Sequence, residues 1–305
     1  MIKNIAPLIL LTLLFTCCKQ KPARTPAIAI KLHSNKIEAR GHYTSPALNK
    51  YAAFIDSLSG ADAATAQQAA KRYTLLFNRQ NTTICDAGFI IFSTYYDKLN
   101  ATLDDQHQKD TADYNKYLVN GDKHPMPAKM TAYINLLSEN GFEFAQEEGA
   151  TYVTQDRDFI TRWFYRYVSP VMREYLTQVN MENKNIYMHD AGISITPDQL
   201  VERAIWWEDF YKLHSGFVLV NQAKSTADTY LALLLQGSDN TPVTEYNTKA
   251  LTTFFKDAYT LLQKKYPTSD AGKLAIPYYQ LLLNGKDATA NSLLKAYVAK
   301  GFIKN

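Results

Sequence analysis

The stretch ISITPDQL, residues 193–200, has the clearest helix-start pattern in the chain. Thr196 is a favoured N-cap residue, Pro197 suits the first helical position, and Gln199 is placed to complete a capping box with the threonine. The apolar residues that follow recur at helical spacing as far as about Lys212. The stretch therefore predicts a helix that begins directly after Thr196.

Helical patterns of this kind occupy most of the chain, and proline, glycine or asparagine bounds many of them. The predicted helical segments are 46–59, 61–78, 84–99, 104–118, 128–139, 156–179, 197–212, 225–236, 242–265, 269–283 and 288–302. Pro170 falls inside one of them and predicts a break near Ser169. We therefore expect an all-α fold, in which ten or more helices form a multi-helix array or an α-solenoid-like bundle.

The segment Gly141–Asp156 departs from the helical pattern. Phe142 and Phe144 alternate with polar residues, and an apolar pair follows Gly149. Alternation with a period of two, on either side of a glycine, is typical of two short strands joined by a turn. The sequence therefore predicts one short β-hairpin near 142–153.

The N-terminal residues have the features of a lipoprotein signal. Lys3 precedes an uncharged apolar stretch, Ile5–Phe15, which spans roughly 16 Å as a helix and is too short to cross a hydrocarbon core of about 30 Å. The residues LFTCC resemble the lipobox of bacterial lipoproteins, in which an aliphatic residue lies three positions before the lipidated cysteine. Leu14 stands in that relation to Cys17, and Cys18 is the alternative lipidation site. Ordinary secretion with cleavage nearby is the other interpretation.

The residues after these cysteines are basic, with no acid before Glu38. The N-terminus resembles that of Bacteroidota-type lipoproteins, in which surface export goes with acidic residues just after the cysteine. The resemblance therefore implies an anchor in the outer membrane that faces the periplasm. We divide the chain into a signal peptide (1–17), a tether (18–45) and a helical domain (46–305), with candidate internal boundaries near 120–127 or 181–196.

Composition limits the kinds of partner that we expect. Because 46% of the 305 residues are hydrophobic, the chain is able to bury a core. The formal charge of +4 is not concentrated in any run of Lys and Arg, so nucleic acid is not an expected partner. Cys85 is the one thiol outside the lipobox, and we expect it to be a buried apolar side chain without a disulfide.

Two stretches contain the candidate site residues. The first contains four acids near Tyr152, namely Glu147, Glu148, Asp156 and Asp158. Two such carboxylates can act as general acid and general base if one of them is desolvated, or they can hold Ca²⁺. The simpler interpretation is that they are solvated turn charges and helix-start acids.

The second stretch, ERAIWWEDF, contains Trp206, Trp207 and Glu208. Adjacent residues of a helix point about 100° apart, so one indole is expected at a rim, where it can stack on a sugar or a partner. The simpler interpretation is that both indoles are buried between two helical layers. The six histidines are scattered and no HExxH, P-loop, GxGxxG or GxSxG motif occurs, so we expect no metal and no cofactor.

Three stretches together resemble a family of secreted or lipid-anchored bacterial proteins: EEGATYVTQD, LVERAIWWEDF and LQGSDNTPV. They match the family's EG-x-x-Y element, W-E-x-F helix and G-x-D-N-T-P turn, over roughly residues 137–283. The resemblance implies an envelope location and a helical fold, and it implies no particular activity. We therefore expect a lipid-anchored module that binds or scaffolds an envelope protein or a glycan. A hydrolase that uses the four acids and a structural spacer without ligand are the alternatives.

Overall fold

The computed structural model describes residue 43 and residues 45–119, 124–147 and 149–303. In these residues the chain forms twelve α-helices and three two-stranded antiparallel hairpins. The helices are α1 (Pro46–Asp56), α2 (Ala64–Phe77), α3 (Thr82–Lys109), α4 (Tyr114–Leu118), α5 (Ala128–Glu139), α6 (Arg157–Phe164), α7 (Pro170–Lys184), α8 (Pro197–Leu213), α9 (Val220–Gln236), α10 (Thr253–Lys265), α11 (Asp270–Leu283) and α12 (Asp287–Ala299). The strands are β1 (Phe142–Glu147), β2 (Ala150–Gln155), β3 (Met188–His189), β4 (Gly192–Ile193), β5 (Gly237–Ser238) and β6 (Thr241–Pro242). The predicted all-α class and the hairpin near 142–153 are confirmed, whereas Cys17, Cys18 and the signal peptide lie outside the described residues.

The third helix corrects the sequence prediction, which divided this region into segments 84–99 and 104–118. Helix α3 runs unbroken for 28 residues, and the side chain of Asn81 caps its start by accepting a hydrogen bond from the backbone of Ile84. Leu103 and His107 are buried and extend the packed face through the polar second half. No proline or glycine interrupts that half, so tertiary packing continues the helix where the periodicity is weak. As expected, Cys85 is buried and forms no disulfide.

The break at Pro170 is confirmed. Ser169 is the N-cap of α7, and its hydroxyl accepts a hydrogen bond from the backbone of Met172. Its own backbone N–H donates to the buried carboxylate of Asp86 in α3, at 2.8 Å. The turn between α6 and α7 is therefore held by a local cap and by a contact from a distant helix.

The predicted helix start at Thr241-Pro242 is wrong. These two residues form β6 and pair with Gly237 and Ser238 of β5, and α10 begins only after Thr252. The backbone of Gly237, at φ +69° and ψ −152°, turns α9 directly into β5. A side chain is strained in that conformation, so glycine is required where the helix becomes a strand.

One continuous cluster of buried side chains extends from Leu48 in α1 to Ile303 after α12. Aromatic rings account for much of it: the ring of Phe164 lies 4.6 Å from that of Tyr73 and 4.4 Å from that of Phe92, centroid to centroid. None of the helices in the described ranges is both long enough and apolar enough to cross a membrane. The described part of the chain is therefore stabilised by an aromatic core, without disulfides.

Two side-chain contacts show how the ends of α7, α8 and α11 are placed relative to one another. A carboxylate oxygen of Glu174 near the start of α7 lies 3.6 Å from Nε2 of His214 at the end of α8. Lys212 at the end of α8 forms an ion pair with Asp270 at the start of α11, at 2.7 Å. The start of α7, the end of α8 and the start of α11 therefore lie close together, at one end of the C-terminal helices.

Candidate functional site

The hairpin β1–β2 separates the predicted acids. Glu147 pairs with Ala150 at the turn, whereas Asp156 follows Gln155 at the open end. At about 3.3 Å per strand residue, the two ends lie roughly 16 Å apart. The structure thus does not bring Glu147 together with Asp156 and Asp158. Glu148 lies outside the described residues.

Asp156 and Asp158 have structural partners at the start of α6. A carboxylate oxygen of Asp156 accepts from the backbone of Asp158, and the other pairs with Arg162 at 2.5 Å. Asp158 pairs with Lys184 of α7 at 2.7 Å, and this hydrogen bond holds the pKa of Asp158 below its ordinary value. Ionised carboxylates that cap a helix and bridge to its neighbour fit the simpler interpretation of these acids.

Glu147 has a different neighbour, which the sequence did not connect to it. Its carboxylate lies 3.9 Å from Nδ1 of His189 in β3; the His189 side chain is exposed and that of Glu147 is partly buried. Tyr152 faces Ala145 across the hairpin and is half-buried. The described residues contain no group of three or more His, Cys, Asp or Glu side chains placed to hold a metal ion.

The two indoles of α8 differ in environment. Trp207 is fully buried, with its ring edge-on to that of Tyr175 in α7. Trp206 is half-buried and stacks on Phe210 one turn later, with ring centroids 5.0 Å apart and planes 13° apart. Trp206 is therefore packed against Phe210 with part of its indole open to solvent.

Glu208 is not available for binding, because it is buried and caps another helix. Its carboxylate accepts hydrogen bonds from the backbone of Asp270 at 2.7 Å and of Ala271 at 3.0 Å, the first N–H groups of α11. Lys212 also contacts it at 2.7 Å. A carboxylate at a helix N-terminus satisfies free N–H groups and interacts favourably with the helix dipole.

The strongest polar cluster was missed by the sequence prediction and is centred on Glu182 of α7. This buried carboxylate accepts hydrogen bonds from Trp207 Nε1 at 2.8 Å, from the Tyr230 hydroxyl at 2.6 Å and from Gln178 Nε2 at 2.5 Å. Burial raises the pKa of Glu182, and its hydrogen-bond donors and the nearby Arg203 partly offset that rise. Helical spacing was the available signal in the sequence. Glu182 lies three residues beyond Val179, the last residue of the predicted helix, and therefore on the same face of α7.

Met181 and Trp206 flank this cluster on the outside. Met181 precedes Glu182 and Trp206 precedes Trp207, so both apolar residues belong to the segments of α7 and α8 that the hydrogen bond between Glu182 and Trp207 brings together. Met181 is 54% exposed. We call these two residues, with Phe210 beneath the indole, the Trp206 surface. Comparisons of the chain with protein-family models, with curated proteins and with solved structures found no match.

Proposed function

We propose that the protein is a lipid-anchored module of the bacterial cell envelope, held in the outer membrane and facing the periplasm, that binds a partner envelope protein through the Trp206 surface. The observation that carries the proposal is the half-exposed indole of Trp206, fixed by its stack on Phe210. An aromatic side chain already held in one orientation loses little conformational freedom on binding.

The neighbouring Met181 favours a protein partner over a glycan. Methionine and tryptophan are both enriched at protein interfaces, where the flexible thioether adapts to the shape of the partner. A sugar needs hydrogen-bonding groups beside the ring on which it stacks, and the exposed Met181 side chain provides none.

The hydrolase alternative has less support. It needs two carboxylates that face one pocket about 5–10 Å apart. Glu147 lies at the other end of the hairpin from Asp156, and Asp156 and Asp158 are each paired with a cation. A binding module remains the function that these placements favour.

Site-specific photo-crosslinking in the native host tests the proposal. A photoreactive residue replaces Met181 in the full chain, and in a matched control it replaces Leu75 of α2, which is 68% exposed. We expect a discrete adduct with one envelope protein from position 181 and none from position 75. The added substitution Trp206→Ala should abolish the adduct while leaving the thermal unfolding midpoint within a few degrees.

Three outcomes would contradict the proposal. Equal adducts from both positions would show non-specific contact, and no adduct from either would favour a spacer without a ligand. An adduct that glycan-digesting enzymes remove and proteases leave intact would replace the protein partner with a glycan.

A further inference from the structure

The charges of the C-terminal half are divided between its two ends. The end defined by Lys212 and Asp270 contains the turn before α7 and five helix termini: the starts of α7, α9 and α11 and the ends of α8 and α10. The end of α12 lies there too, because the Tyr297 hydroxyl donates a hydrogen bond to the carbonyl of Leu274 in α11, at 3.1 Å. The basic side chains in the halves of α7–α12 that meet here, with the adjoining turns, are Arg166, Arg173, Lys212, Lys224, Lys264, Lys265, Lys273, Lys295 and Lys300. The acids are Glu174, Glu208, Asp209, Asp228 and Asp270. Nine basic and five acidic groups give this end, which we call the basic end, a net charge of +4.

The opposite halves of the same helices, with their connections, contain more acidic than basic residues. Their basic residues are Lys184, Arg203, Lys249, Lys256 and Lys286. Their acids are Glu182, Asp190, Asp198, Glu202, Asp239, Glu245, Asp257 and Asp287. Five basic and eight acidic groups give a net charge of −3, so residues 165–303 are polarised along the helix axes although their total charge is only +1. The separation does not appear in the sequence, because it arises from the alternating direction of the helices.

Exposed apolar side chains stand among the cations of the basic end. Leu213, the last residue of α8, is 77% exposed, Val218 in the following loop is 39% exposed, and Phe302 after α12 is 45% exposed. All three lie at or beyond a helix terminus. Exposed apolar side chains and a net positive charge therefore occur together at this end, whereas the exposed apolar residues of the opposite end, such as Leu283, lie in a net negative region.

We propose that the basic end docks on an anionic phospholipid surface. Lys and Arg near such a surface are attracted to it within a Debye length of about 8 Å, and short apolar side chains between them enter the headgroup region. The exposed leucine and phenylalanine favour a bilayer over a soluble polyanion, which offers them no apolar environment. Docking of this kind requires neither the lipid anchor nor the Trp206 surface, which lies along the side of α7 and α8.

Vesicle binding by the full chain tests this proposal. Cys17→Ser and Cys18→Ser remove lipidation in every sample, so that any contribution of the N-terminal residues is constant. We expect tighter binding to vesicles of equal parts phosphatidylcholine and phosphatidylglycerol than to phosphatidylcholine alone, and weaker binding as salt rises. The triple variant Lys264→Glu, Lys265→Glu, Lys300→Glu should lose at least about tenfold in affinity for the anionic vesicles.

The control reverses the same number of charges at the other end, through Lys249→Glu, Lys256→Glu and Lys286→Glu, and should change the affinity less than about twofold. All six lysines are exposed, and thermal unfolding checks that each variant folds. Equal losses in both variants, or equal binding to both kinds of vesicle, would overturn the proposal.

A second pair of variants separates a bilayer from other polyanions. Leu213→Ser at the basic end should weaken vesicle binding, whereas Leu283→Ser, at the opposite end and 48% exposed, should not. If Leu213→Ser has no effect while the lysine variant fails to bind, the attraction is purely electrostatic, and the proposed entry of apolar side chains into the headgroup region is wrong.

Discussion

At the scale of single residues, the buried carboxylate of Glu182 links three helices, α7, α8 and α9. Its carboxylate holds donors from three helices, namely Gln178 of α7, Trp207 of α8 and Tyr230 of α9. A buried carboxylate is costly unless its oxygens are hydrogen-bonded, and these three donors meet that need. The packing of α7 against α8 and α9 is therefore tied to the ionisation of one group.

The raised pKa of Glu182 predicts a pH dependence with a definite sign. Because the folded state holds this proton to higher pH than the unfolded state, the free energy of unfolding should fall as the pH rises above the ordinary value of 4.5. Each pH unit within the window between the two pKa values removes up to about 1.4 kcal/mol. In Glu182→Gln this loss should be absent, so the variant gains stability relative to the native chain between pH 4.5 and neutrality. Urea unfolding across that range measures the difference.

Glu174→Gln is the matched control, since Glu174 lies on the same helix with half of its side chain exposed. It should leave the pH profile of unfolding close to that of the native chain. A Glu182→Gln profile that runs parallel to the native one would contradict the assignment of this dependence to Glu182.

At the scale of elements, the hairpin β3–β4 contains a strained turn. Its two-residue loop consists of Asp190 and Ala191, which have φ values of +44° and +53°. A type I′ turn requires positive φ at both positions, and alanine is strained there. The neighbouring hairpin holds the loop in place, because the backbone of Asn240 donates to the carbonyl of Ala191 at 3.1 Å.

Ala191→Gly should therefore stabilise the protein by about 0.5–1 kcal/mol, since relief of the strain outweighs the added freedom of the unfolded chain. Denaturant unfolding at constant pH is the measurement. The control Ala250→Gly changes an exposed loop alanine without positive φ and should not stabilise. Equal effects at both positions would show that the turn at Ala191 is unstrained.

Two identical dipeptides show how far local sequence predicts these elements. At Thr196-Pro197 the hydroxyl of Thr196 accepts from the backbone of Gln199, and Gln199 completes the predicted capping box. At Thr241-Pro242 no such glutamine follows, and the hydroxyl of Thr241 instead accepts from the backbone of Ile193 in β4, at 2.9 Å. The first contact is local and predictable, whereas the second depends on a hairpin 48 residues away.

The candidate site was predictable to a similar degree. Helical geometry left two interpretations of Trp206 and Trp207 open, one indole at a rim or both buried, and the structure shows one buried and one half-buried. The meeting of Glu182, Trp207 and Tyr230 was not predictable, because each lies on a different helix and no local pattern marks the carboxylate as buried. The hairpin was correctly expected, but its register, which separates Glu147 from Asp156, becomes evident only when both strands are seen paired.

At the scale of the whole molecule, the proposed lipid anchor makes a direct prediction. Cells that express the full chain and are fed an alkyne-tagged fatty acid should label the native chain and Cys18→Ala, and Cys17→Ala should lose the label. Cys85→Ala is the control and should keep it, since Cys85 is buried in the helical fold. Loss of the label in Cys18→Ala alone would move the attachment site by one residue, and no label in any form would contradict lipidation.

The carboxylate of Glu208 has a consequence for the order in which the chain becomes stable. Its two backbone donors, Asp270 and Ala271, follow it by 62 and 63 residues, so a chain synthesised only as far as α8 lacks both of them. The two hydrogen bonds can form only after α11 has been synthesised. For a protein exported before it folds, as the proposed anchor implies, we expect these two hydrogen bonds to form only after export.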